Sequence, residues 1–238
     1  MERRYFLSLI AAGGLVAGTA GAQDLKAILN AARGTRGPLS SGDADAGLRE
    51  ALSRGTVNAV LRVSKPDGYW GDSAIRIPLP KALDSTQKLL KPVGMSGPLD
   101  EVHVKMNHAA EAAAPLARDL FLDAIKSMTI KDAVGIVRGG PTSGTDYLQR
   151  TTTPRLTTAF TPPMEDALQS AGAVKALDEA VKRNSLQGMV HGDAKTWLGK
   201  YAVGLALGGL FHYVGVEETN IRRDPGKTGS SLLKSVFG

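Results

Sequence analysis

Asn107, His108 and Glu111 are the first residues whose types and spacing suit chemistry. A helix turns about 100° per residue, so His108 and Glu111, three apart, share a face, with Asn107 beside them. An imidazole and a carboxylate so placed serve acid–base work, or ligate a metal if facing elements add further ligands. His103 sits five positions back, about 140° round the helix, and cannot join them. His191 falls in a loop, and His212 stands amid apolar residues, where a satisfied core histidine is expected. No metal or cofactor set is therefore expected, and the preferred reading is a buried polar network linking helices. The expectation is that Asn107, Glu111 and Asp132 share one polar cluster, with Arg138 close enough to neutralise a carboxylate.

Arg138-Gly139-Gly140-Pro141-Thr142-Ser143-Gly144-Thr145-Asp146 is the other segment with chemical character. Free amides at the following helix start, three hydroxyls and Arg138 suit an anion. The Gly139 to Gly144 spacing resembles a phosphate loop, but Thr145 occupies the lysine position and no strand precedes it. A connection capped at both ends is the preferred reading. No Gly-x-Ser-x-Gly elbow occurs, and with no cysteine there is neither a thiol nucleophile nor a disulfide. Tyr69 and Trp70 follow a tight turn, where they are either a contact surface or, as preferred, a lid on the core.

These residues are positioned by helices. Leu48, Leu52, Ala59, Val60 and Val63 recur at helical spacing over 43–63, and Lys65-Pro66-Asp67-Gly68 ends that run. Ile75-Arg76-Ile77-Pro78-Leu79-Pro80 is extended, because each proline pushes its predecessor out of the helical region, yet no second strand exists to pair with it. From Ser96-Gly97-Pro98 a stripe of Leu99, Val102, Met106, Ala109, Ala113, Leu116, Leu120, Ala124 and Met128 predicts a long helix, kinked or broken at Pro115. Thr129-Ile130-Lys131-Asp132 opens the next helix as a capping box, and Ser143-Gly144-Thr145-Asp146 repeats the pattern. Helices are predicted at 24–32, 146–152, 154–170, 173–183 and 194–221, the last capped by Asp193, with a closing segment of Leu232, Leu233, Val236 and Phe237. Tyr201–Val214, with Gly204 and Gly208 four apart, looks like a membrane packing stripe but reads as a buried core helix too short to span. The fold class is all-α, a single-domain bundle of about eight helices over 43–238, after a flexible lead-in at 23–42.

The chain opens with an export signal. Arg3 and Arg4 precede Phe6 and Leu7, followed by a weakly apolar stretch from Ser8 to Gly18 and small residues at Ala20 and Ala22. The apolar run is about half the ~20 residues that span a bilayer. The pattern resembles a twin-arginine signal, with Glu2 where Ser or Thr is usual, cleaved after Ala22. No lipid-bearing cysteine follows the cut and no transmembrane anchor is expected, so the expected location is the periplasm. Twenty-nine Lys and Arg against 23 Asp and Glu give +6, and removing Glu2, Arg3 and Arg4 with the signal leaves +5. Those charges are interspersed, which argues against a nucleic-acid partner. Aromatics are 5% of the chain, so Ala, Leu, Val and Ile must build the core.

Several strings, in order, resemble the bacterial family known as domain of unknown function 4197. They are Lys65-Pro66-Asp67-Gly68, Ile75 through Pro80, Met106 through Pro115, Asp132-Ala133-Val134-Gly135-Ile136, Gly139-Gly140 with Thr145-Asp146-Tyr147, Gly209-Leu210-Phe211, and Leu232-Leu233-Lys234 with Val236-Phe237-Gly238. The resemblance runs from about Gly47 to Gly238 and implies an exported helical protein, with no established activity to transfer. The chain departs from the pattern at His108, where the family typically has Arg, and at Leu205 and Gly208, where Lys and Asp are expected. The leading functional expectation is a non-catalytic periplasmic module binding an apolar ligand or an envelope protein, with Asn107, His108, Glu111, Asp132, Arg138 and Thr145 as candidate binding residues. The alternatives are an enzyme whose acid–base site is assembled from Asn107, Glu111, Asp132 and Arg138, and a structural envelope protein.

Overall fold

The computed structural model describes residues 40–183, 188, 190 and 192–238. The export signal, the predicted helix at 24–32, most of the lead-in and His191 lie outside the described residues.

Ser40 accepts the amide of Asp43 through its hydroxyl and opens α1 (Ser41–Val63), two residues earlier than predicted. α2 (Lys81–Leu90) follows the extended segment and was not anticipated. Leu83 is its only fully buried residue, too few apolar positions to show a period. α3 (Gly97–Ala113) ends before a 3₁₀ turn at Ala114–Leu116, and α4 (Ala117–Lys126) starts afresh, so Pro115 breaks the helix as expected. The break ends the predicted stripe: Leu116 is exposed, and Ala117, Phe121 and Ile125 take over the buried face. α5 (Ile130–Val137) begins with the capping box of Thr129 and Asp132.

α6 (Ser143–Ser170) is one helix where two were predicted, and it runs through Pro154, Pro162 and Pro163. Its buried residues Gly144, Leu148, Thr152, Leu156, Phe160, Met164 and Leu168 recur every four positions without interruption. Pro154 and Pro162 fall on the solvent side of that stripe, so the carbonyls they leave unpaired face water rather than the core. α7 (Ala173–Arg183), α8 (Ala194–Arg223) and α9 (Ser231–Phe237) complete the order, and Asp193 caps α8 by accepting the amide of Thr196. No strand occurs among the described residues, and the fold is all-α.

α8 is the axis: it packs most extensively on α6 and α1, while α3 lies on α6 and α7, and α4 and α5 lie on α1. The core is mainly Ala, Leu and Val, joined by an edge-to-face pair of Phe121 and Phe211 at 5.3 Å. α8 runs 30 residues, two beyond the helix predicted at 194–221, and the 201–214 stretch is an interior part of it. Even so, no helix among the described residues is long and apolar enough to cross a membrane.

Candidate functional site

Two buried carboxylates organise the polar interior. Glu111, on α3, is 6% exposed and accepts three backbone amides of the turn after α1: Asp67 N at 3.2 Å on Oε2, and Tyr69 N at 3.0 Å and Trp70 N at 3.1 Å on Oε1. A turn buried against a helix leaves amides that must be paired, and one carboxylate pairs all three. Asp67 adopts φ +61°, a left-handed conformation that Asp tolerates better than most residues. Tyr69 is fully buried and donates to the carbonyl of Ala206 at 2.7 Å, closing over the core as preferred. Burial, and then the Glu111 charge, hold its phenol well above the usual range, so it stays a neutral donor. Gly209 lets this ring approach: a Cβ there would sit 2.7 Å from Tyr69 Cε1.

Asn107, one turn before Glu111 and fully buried, supplies what the extended segment lacks. Its Oδ1 accepts Ile77 N at 2.8 Å and its Nδ2 donates to Ile77 O at 2.9 Å. The side-chain amide thus plays the missing strand, while Ile75, Ile77 and Leu79 alternate into the core. His103 joins the same carbonyl at 3.0 Å and meets Trp70 edge-on at 4.9 Å. Its half-buried ring is held below the ordinary imidazole range, chiefly by desolvation.

Glu218, on α8, is 1% exposed and was missed by the sequence reading. It accepts Gly144 N at 3.0 Å on Oε1, and Thr145 N and Thr145 Oγ1, both at 2.7 Å, on Oε2. The start of α6 does hold an anion, then, but the anion is the protein's own side chain. Arg222, one turn on, donates to Oε1 at 2.9 and 2.8 Å and to the carbonyls of Ile136 and Val137 at 3.1 and 3.2 Å. One ion pair therefore fastens the end of α5 and the start of α6 to α8, using the dipole sign of each terminus. Gly144 admits it, since a Cβ there would meet Leu52 at 2.7 Å and Glu218 Oε1 at 3.0 Å.

The expected cluster of four residues does not form. Asn107 and Glu111 both serve the 67–77 segment from α3. Asp132 serves its own capping box with Thr129 and lies 3.4 Å from the Tyr147 hydroxyl, on a helix that packs against α1 and α6. Arg138 is exposed at the end of α5, and Arg222 does the neutralising expected of it. Thr145 belongs to the Glu218 clamp. His212 is exposed rather than in the core. His108, also exposed, lies 3.2 Å from Asp67 Oδ1, and ligand atoms of Asp67, His108 and Glu111 all fall within 4.8 Å of one another.

A third polar contact borders the turn: Tyr213 donates its hydroxyl to Asp72, and Arg62 stacks over the Tyr213 ring at 4.1 Å. That hydrogen bond is the main reason the Asp72 carboxyl is held below its ordinary range. Between α6 and α8 runs a cleft of about 510 Å³ lined by Thr142, Asp146, Gln149, Gly208, Phe211, His212, Gly215 and Arg223 among others. A second trough, about 560 Å³, shares Asn220 and Arg223 with it.

Residues 38–238 match the model of a family described as a protein of unknown function (DUF4197). No curated protein and no solved structure matches the chain.

Proposed function

We propose, from the premise that the chain belongs to the DUF4197 family, that it is an exported, non-catalytic periplasmic module that receives a helical segment of an envelope protein. The cleft between α6 and α8 carries this reading. Phe211 and Gly215 are its buried lining, and Gly208, Asp146, Gln149, His212 and Arg223 are its exposed lining. Gly208 to Arg223 spans about 22 Å along the α8 axis at helical rise, some four turns, which suits a partner helix better than a compact small molecule. The interior supports the non-catalytic half: Glu111, Glu218, Asn107 and Asp132 are each committed to backbone groups, and Arg222 to Glu218. Of these groups Asp132 lines a surface hollow, and there its carboxylate is taken by Thr129 and the Tyr147 hydroxyl.

A Cβ at Gly208 meets nothing within 4 Å, so Gly208→Leu is expected to enter the cleft, and a circular dichroism melt checks that the fold is kept. Native mass spectrometry, with lipid extraction, of protein purified from its own periplasm should find a protein partner on the wild type and none on Gly208→Leu. A bound lipid instead of a protein would replace the partner with an apolar ligand, and a cargo equally bound by both proteins would remove the cleft reading. Export is tested separately. Changing Arg3 and Arg4 together to Lys should leave precursor in the cytoplasm, and N-terminal sequencing of the exported protein should begin at Gln23.

A further inference from the structure

Glu218 has a cation and Glu111 does not. Among the described residues no lysine or arginine pairs with Glu111, although it is as deeply placed as a charged group usually tolerates only with a counter-charge. The ionisable groups gathered with it are Asp67, a second carboxylate, and His108. We propose that Asp67, His108 and Glu111 bind a divalent transition-metal ion of the Zn²⁺ or Mn²⁺ type.

The geometry supports this in three ways. First, the free valences are in the right place. Glu111 Oε1 takes two amides, whereas Oε2 takes only Asp67 N and keeps one acceptor position. Second, the set mixes rigid and adjustable members. Glu111 is fixed by its three amides, and the side chains of His108 and Asp67 are 44% and 63% exposed, so rotation can draw their ligand atoms in. Donors about 2.0–2.2 Å from one ion lie roughly 3–3.5 Å apart, and His108 Nε2 and Asp67 Oδ1 already stand at 3.2 Å. Third, the donors select the ion. One imidazole nitrogen with two carboxylate oxygens favours Zn²⁺ or Mn²⁺ over Ca²⁺ and Mg²⁺, which take oxygen ligands. A divalent ion also cancels the two carboxylate charges, as Arg222 cancels that of Glu218. Neighbouring His103 and Asn107 are not part of the set, because both are spent on Ile77.

The ion would pin the turn after α1 to α3 from the solvent side and present open coordination positions outward. This inference stands apart from the cleft: Gly208→Leu touches none of the three residues. Isothermal titration of the untagged mature protein with Zn²⁺ and with Mn²⁺ should show one saturable site for at least one of them, and none for Mg²⁺ or Ca²⁺. His108→Ala and Asp67→Asn should each weaken it at least about tenfold, while His212→Ala leaves it unchanged. Both ligand variants alter exposed side chains, and circular dichroism melts verify that they fold. Absence of saturable binding by the wild type would overturn the proposal. So would binding that survives either ligand substitution, or a site that takes Mg²⁺ or Ca²⁺ equally well.

Discussion

The Glu111 and Glu218 clamps solve the same problem with different surroundings. Each is a glutamate on a helix reaching backbone amides that local structure cannot pair. Glu218 takes the first amides of α6, where the helix dipole already favours an anion, and Arg222 closes the charge from within the same helix. Glu111 takes three amides of an irregular turn, with no helix dipole behind them and, among the described residues, no arginine paired with it. A clamp with its own counter-charge is complete within the chain. One without it is held by hydrogen bonds alone and leaves valence facing outward.

The largest effect separating the two should come from Glu218→Ala. It orphans two amides and leaves Arg222, 11% exposed, without its partner, a type of loss that costs about 3–5 kcal/mol. Glu218→Gln should recover only part of this in urea unfolding, because it restores an acceptor but not the charge. Glu111→Ala should cost less, about 2–3 kcal/mol, since it strands amides but no buried cation. Glu111→Gln should regain much of that, its carbonyl oxygen accepting Tyr69 N and Trp70 N. Equal losses for the two alanine variants would break the distinction. The smallest effect concerns the turn's outer edge. The Asp72 carboxyl is depressed first by the Tyr213 hydroxyl, then by the Ala74 amide and Arg62, against an opposing desolvation. A depressed carboxyl stabilises above its unfolded value, about 3.9, and that contribution is lost as pH falls through the lower folded value. The stability difference between wild type and Tyr213→Phe should therefore be constant above about pH 5 and shrink below about pH 4.

The sequence announced one clamp and hid the other. Asn107 and Glu111 stand in an alanine-rich stripe, and polar groups there must be partnered, so their burial was legible. Glu218 follows Glu217 in a long helix and looks like half of a surface acidic pair. Its signal was positional: it lies four residues after buried Val214 and three before buried Ile221, with Arg222 one turn on. Asp132 went wrong for another reason. Its capping box with Thr129 already accounted for it, and a second role in a distant cluster used the same carboxylate twice. Arg138 flanks the loop, yet the guanidinium that closes the end of α5 comes from 84 positions later, a pairing that local spacing cannot reveal. The continuity of α6 is legible in its four-residue buried stripe, which outweighs the helix-breaking tendency of prolines on its solvent side.

That helix carries a consequence for how the chain folds. Residues 143–170 hold three prolines and seven threonines, and an interior proline costs a helix about 3 kcal/mol relative to alanine. Such a segment cannot hold helical structure in isolation. It becomes a helix as Leu148, Leu156, Phe160 and Met164 dock against its neighbours, and those contacts are expected to form late. Truncations along this stripe, such as Phe160→Leu, should then accelerate unfolding while leaving the refolding rate nearly unchanged in stopped-flow chevrons. The longest-lived property of the folded protein, its resistance to opening, would reside in the helix least able to form by itself.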